Sequence, residues 1–170
     1  MANRNNKLER LTVKNARIIC KNFSGKEKKH NGKTVNKEGE RNFLLCIDPD
    51  EFDIKELIRD NWNIKMFGED QIPVIPVKVR FDIKAPKICT VIDRDRTFID
   101  EDNVGDIDWM EIDHVDVTIT QSYWEVNGNS GYTSYLKTMY LYPIVDELDA
   151  EYAALMKDEK ASEDVDVEYF

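Results

Sequence analysis

Three observations predict a mainly-β fold with minor α, arranged as a small, partly open β-barrel with an inserted helix and a C-terminal helix before an acidic tail. Strand-like runs recur at 11–23, 41–47, 62–67, 72–84, 114–120 and 131–142. A segment with helix-start signals separates the second run from the third, and a second helical spacing occupies 146–160. The regular helical crossovers that a parallel α/β sheet requires are missing from the pattern.

Residues 1–10 are polar and are expected to fray ahead of a domain spanning 11–145. The run 11–23 alternates imperfectly, with Val13, Ile18 and Ile19 among Lys14, Arg17 and Lys21, so a bulge or strong bend is expected. Residues 24–40 read as a basic loop carrying Lys26, Lys28, Lys29, His30 and Lys33. Such a loop is either a solvated hairpin tip or an arm that follows phosphates. In 41–47, Arg41, Phe43, Leu45 and Ile47 share one face of a strand. Asp48, Pro49, Asp50 and Glu51 then predict a helix start with Asp48 as N-cap and an end near Asp60.

Residues 62–67 predict a strand, with a turn at 68–70 after it. Val77, Val79 and Phe81 alternate with Lys78, Arg80 and Asp82 in the next run. Pro73 and Pro76 imply an edge position or an irregular start for it. A short strand at 86–92 ends in charged residues, and a short helix is expected around 100–104. Val115, Val117 and Ile119 define one face of the strand 114–120. A turn at 127–131 leads to a strand holding four of the seven tyrosines around Lys137. Leu148, Tyr152, Leu155 and Met156 repeat at helical spacing, and residues 161–170 predict a disordered acidic tail.

The net charge of −10 is unevenly spread: residues 1–41 carry +8, residues 42–145 carry −10 and residues 146–170 carry −8. A basic head and an acidic tail suggest a polyanionic partner and an internal mimic of it. No apolar run is long enough to span a membrane, and the first residues do not form a secretory signal. Cys20, Cys46 and Cys89 have no metal-ligand spacing and read as small core residues in a reducing cytoplasm. No phosphate-binding glycine loop or nucleophile elbow is present, and no cofactor is implied. Two other classes stay open. Carboxylates between Asp93 and Asp116 could hold Mg²⁺ in a nuclease. Alternatively, the acidic bulk of the chain could serve an adaptor or DNA mimic that binds a host protein.

Single-strand binding needs cations along a groove and exposed rings that stack bases. The candidate cations are Arg17, Lys21, Lys33, Arg41, Lys65, Lys78, Arg80 and Lys137. The candidate rings are Phe43, Trp62, Tyr123, Trp124 and Tyr135, although Phe43 and Trp62 also fit a core. Tyr123 and Trp124 are sequence neighbours and cannot both point inward from a regular strand. Tyr135 and Lys137 fall on one face of the tyrosine-rich strand. In the tail, Asp164, Asp166, Glu168, Tyr169 and Phe170 offer an acidic segment with an aromatic end for a protein partner.

The phrases Lys14-Asn-Ala-Arg-Ile, Asn22-Phe-Ser-Gly, Arg41-Asn-Phe, Trp62-Asn-Ile-Lys, Pro76-Val-Lys-Val and Tyr135-Leu-Lys-Thr-Met-Tyr run in order through most of the chain. Together they resemble a family of bacteriophage single-stranded DNA-binding proteins. The resemblance implies an OB-fold that coats single strands during phage replication or recombination in the host cytoplasm, with no catalytic residues. It also implies an acidic C-terminus that recruits replication or recombination proteins. Whether the chain forms a homo-oligomer is left open.

Overall fold

The computed structural model describes residues 10–144. The expected C-terminal helix and acidic tail, with Asp164, Asp166, Glu168, Tyr169 and Phe170, lie outside the described residues. Eleven strands are β1 Arg10–Ala16, β2 Ile18–Asn22, β3 Lys28–His30, β4 Lys33–Asn36, β5 Arg41–Cys46, β6 Lys65–Phe67, β7 Ile72–Val79, β8 Lys87–Ile92, β9 Asp95–Ile99, β10 Ile112–Val126 and β11 Asn129–Pro143. The helix α1 covers Ile54–Arg59, and a 3₁₀ turn covers Val104–Trp109. Nine strands form one sheet in the order β1-β10-β11-β7-β5-β2, with β6 added to β7 and the β8–β9 hairpin added to β11. β3 and β4 form a separate two-stranded arm.

The alternations read from the sequence become the inner face of this curled sheet. Phe43, Leu45 and Ile47 are buried, as are Val77, Val79, Val115, Val117 and Ile119. Their neighbours in sequence point outward because side chains alternate across a strand. The bulge or bend expected within 11–23 is the break between β1 and β2 at Arg17, with Asn15 and Cys20 at positive φ on either side of it.

The tyrosine-rich strand departs from simple alternation. Ser134 and Leu136 face inward, whereas farther along it is Met139 and Leu141 that do so. The register explains the switch: Ile119 pairs with Leu136 and Thr118 with Thr138, leaving Lys137 as an extra residue. This β-bulge reverses which residues face the core. It also divides the other edge of β11, which runs parallel to β7 at Ser134–Tyr135 and to β8 at Thr138–Leu141. Tyr135 and Lys137 therefore do not share a regular face with Met139 and Leu141.

Other expectations are corrected locally. The helix is capped by Asp53, whose carboxylate accepts from the Lys55 and Glu56 amides, and not by Asp48. Asp48 instead accepts from the Asp50 amide in a turn. β7 is an inner strand despite its prolines, pairing with β5 on one side and with β6 and β11 on the other. Pro76 falls between the reach of β6, which pairs 72–74, and that of β11, which pairs 77–78. Its missing N–H thus costs the sheet little. The charged segment after residue 92 forms β9, and in place of the short helix expected around 100–104 there is the 3₁₀ turn, placed slightly later. Of the cysteines, only Cys89 is buried; Cys46 is half-buried and Cys20 is exposed. Burial pushes the Cys89 and Cys46 thiols up, with Arg17 opposing the shift at Cys46.

Candidate nucleic-acid interface

The β3–β4 arm begins and ends beside the outer face of β5. Its tip is an Asn31-Gly32 pair, both at positive φ, the geometry of a two-residue hairpin turn. Its base is gripped by three asparagines. Asn22 donates to the Lys26 carbonyl at 3.0 Å, while its own carbonyl oxygen accepts from the Gly25 and Lys26 amides at 3.1 and 3.2 Å. Asn36 donates to the carbonyls of Lys26, Lys37 and Glu40, and Asn42 donates to Asn36 at 2.7 Å. Asn22 and Asn36 are buried, so these bonds are made away from competing water. The basic segment is thus an anchored arm and not an unstructured loop.

Between the base of this arm and the loop after β7 lies a cleft of about 410 Å³. A cross-strand row forms part of it: Asn42 of β5 pairs with Lys78 of β7, and Lys78 pairs with Tyr135 of β11. Arg41 and Arg80 flank the row, and Phe81, Asp82 and Glu101 complete the walls. Paired residues on neighbouring strands project to the same side about 5 Å apart. The cleft therefore takes the Lys78 and Tyr135 side chains from adjacent positions on one side of the sheet.

The two arginines are already engaged. Arg41 donates through Nε to the Phe23 carbonyl at 2.9 Å and lies 3.5 Å from Glu101. Its guanidinium also sits 5.4 Å from the Phe81 ring. Arg80 makes a two-point pair with Asp82 at 3.1 and 2.6 Å. The hydrogen bond to Asp82, then its charge and the Tyr135 hydroxyl, strengthen the hold of Arg80 on its proton. The same bond from Arg80 holds the Asp82 carboxyl below the usual carboxylate range. Both partners are largely exposed, and such surface pairs contribute little stability. An incoming anion can exchange with Asp82 at small cost.

The cleft gathers Arg41, Lys78, Arg80 and Tyr135 from the sequence candidates. Tyr123 and Trp124 stand apart, on the outer half of the β10–β11 hairpin, where both are exposed. Tyr123 meets Tyr132 edge-on at 5.3 Å. Trp124 lies across Gly131, where an added Cβ would come within 2.9 Å of the indole. Lys33 is exposed on the arm, and Lys65 is exposed on β6. Lys137 is the bulged residue, and Arg17 lines a second cleft beside Cys46.

Three candidates turn inward. Phe43 and Trp62 are 1% and 4% exposed and belong to the core, Phe43 stacking on Phe23 at 5.4 Å. Neither offers a free ring face to a base. Lys21 is tied to the carbonyls of Ile107 and Met110 at 3.0 and 2.8 Å. Burial lowers its pKa against the opposing charge of Asp108, and the side chain serves as an internal tether. Sequence reasoning missed Phe81 and the 80%-exposed Trp109.

Among the described residues, no group of three or more His, Cys, Asp or Glu side chains could hold a metal ion. Two of the carboxylates between Asp93 and Asp116 that a nuclease could have used hold backbone amides instead. Asp108 accepts from the Phe23 and Ser24 amides, and Asp116 accepts from the Asn15 amide. Among the described residues, no helix is long and apolar enough to cross a membrane.

A curled, partly open barrel of this kind is an OB-like fold, and solved structures agree. The single-stranded DNA-binding protein from bacteriophage Enc34 superposes with a TM-score of 0.54 at 15% identity, covering 85% of this chain and 91% of that one. Its C-terminal truncation gives 0.54 at 13% identity, covering 82% and 88%. The complex of that protein with ssDNA gives 0.53 at 13% identity, covering 82% and 89%. A search of curated protein sequences finds no match. The sequence profile of the phage ssDNA-binding domain matches residues 1–169, and the chain belongs to that family.

Proposed function

We propose that this protein binds single-stranded DNA through the cleft between the β3–β4 arm and the outer face of β5, β7 and β11. The observation that carries this reading is the adjacency of Lys78 and Tyr135 in one cross-strand row, flanked by Arg41 and Arg80. A base can stack on the tyrosine while its phosphates meet the cations, which is how sequence-tolerant single-strand binders work. The arm lysines extend the positive track, and Tyr123 and Trp124 offer further ring faces. Family membership and the ssDNA complex of the Enc34 protein support the reading.

The biological setting that follows is the coating of exposed strands during phage replication or recombination in the bacterial cytoplasm. The protein acts there as a non-enzymatic binder. The acidic residues 161–170 would recruit other proteins, and by their charge they can compete for the same cations.

Fluorescence titration with single- and double-stranded DNA of equal length, over a range of salt, tests the proposal. Single strands should be preferred, and the logarithm of affinity should fall by about 0.7 per phosphate contact for each tenfold rise in salt. A protein that ignores single strands even at low salt is not a binder of this kind; the acidic adaptor would then be the better reading.

A further inference from the structure

Trp109 closes the 3₁₀ turn and is 80% exposed, more than any other large hydrophobic side chain among the described residues. Fraying does not explain this, because everything around it is fixed. Val104 and Ile107, from the same turn, are 1% and 0% exposed. The Lys21 ammonium binds the carbonyls on either side, of Ile107 and Met110. Asp108, the residue before Trp109, holds the Phe23 and Ser24 amides at 2.7 and 3.0 Å. The chain therefore holds a large indole in water, at a hydrophobic cost that folding alone does not require.

A cation accompanies it. The Lys26 ammonium lies 5.7 Å from the centre of the Trp109 ring, within range of a cation–π contact. Lys26 stands at the foot of the arm, where its carbonyl is gripped by Asn22 and Asn36, and the exposed Lys28 and Lys29 follow it. Both the ring and the cation are thus positioned by the network that also fixes one wall of the cleft. Arg41 links the two places, since its Nε binds the Phe23 carbonyl just before the Asp108 contact.

We infer that Trp109 and Lys26 form a second nucleobase-stacking subsite outside the cleft, with Lys28 and Lys29 meeting the adjoining phosphates. The inference rests on the single-strand reading above and names where a longer strand would continue. Every base has a π-face that an indole can stack on, and the three lysines favour an anionic chain over a neutral peptide.

The test compares oligo-dT of about 6 and about 20 nucleotides, chosen around the roughly 4–16 nucleotides that one OB-fold covers. Trp109→Ala in the full chain should weaken binding of the long strand about 5-fold or more while changing the short strand less than about 2-fold. Trp109→Phe should recover part of the loss. An independent readout avoids removing the ring. In Trp124→Phe protein the remaining tryptophans are the core residue Trp62 and Trp109, so quenching of indole emission by the long strand reports on Trp109. Equal long-strand affinity in wild type and Trp109→Ala, with no quenching, overturns the subsite and leaves the cleft reading intact. A wild-type protein that binds neither strand overturns both.

Discussion

The β3–β4 arm and the outer half of the β10–β11 hairpin both turn on an Asn-Gly pair at positive φ, Asn31-Gly32 in one and Asn127-Gly128 in the other. They are held in different ways. The arm has short strands whose residues are almost all exposed, and it gains its shape from the buried amides of Asn22 and Asn36 at its base. The β10–β11 hairpin has strands of fifteen residues and is held along its length. Beyond Thr120 and Ser134 its strands pair only with each other among the described residues, helped by Tyr123 on Tyr132 and Trp124 on Gly131. Polar anchoring leaves the side chains of the arm free to be lysine. Aromatic packing lets the hairpin support itself with the same rings that it shows to solvent. One element thus offers charge and the other offers ring faces, and a single-strand binder needs both.

Breaking the polar anchor should give the largest effect. Asn22→Ala removes at least three hydrogen bonds from a residue 2% exposed. Urea unfolding should show a loss of about 2–4 kcal/mol, since each buried bond contributes on the order of 1 kcal/mol and leaves unpaired partners behind. A loss within about 0.5 kcal/mol, usual for a surface site, would mean that the arm is not held from its base.

Removing rings from the other hairpin should act mainly on binding. Tyr123→Ala with Trp124→Ala is expected to lower single-strand affinity roughly 10-fold or more, because a stacked base is worth about 1–3 kcal/mol. The stability cost should stay near 1 kcal/mol, the scale of cross-strand pairs on a solvated ribbon. If thermal melting instead loses its cooperativity, the two rings are structural and the contrast between the hairpins fails.

The sequence made the sheet legible wherever one face is buried. The alternations at Phe43–Ile47, Val77–Val79 and Val115–Ile119 each follow from a strand with a single dry side. It was less informative where tertiary contacts choose among local options. Asp48 and Asp53 both carry helix-start chemistry, and each has a glutamate three residues on, Glu51 and Glu56, so the local pattern does not choose between them and only the fold selects Asp53. Asn31-Gly32 has the chemistry of a hairpin turn, but amid so many lysines residues 24–40 read equally well as a solvated loop. The Lys137 bulge has no local signature, because it arises where β11 leaves β7 for β8. Candidate cations could be picked out by type alone, and type alone cannot separate the tethered Lys21 from the open Lys78. Trp109 was hidden within an acidic stretch, since exposure depends on partners distant in the chain.

Within the cleft, the smallest expected effect gives the finest test of where charge is exchanged. Asp82 occupies Arg80, the position that the proposed binding mode assigns to a phosphate. Because the folded protein holds the Asp82 carboxyl below its ordinary range, the pair is intact above the unfolded value and is lost as pH falls through the lower folded one. That window lies below about pH 4, the unperturbed range of aspartate, so acidity cannot free Arg80 under conditions that suit DNA binding. A substitution can. Asp82→Asn should tighten single-strand binding about 2- to 5-fold, the scale of an exposed ion pair. It should also steepen the salt dependence by about 0.7, as one more phosphate contact would. Unchanged affinity and slope would show that Arg80 meets no phosphate, leaving Lys78 and Arg41 as the cations of the cleft.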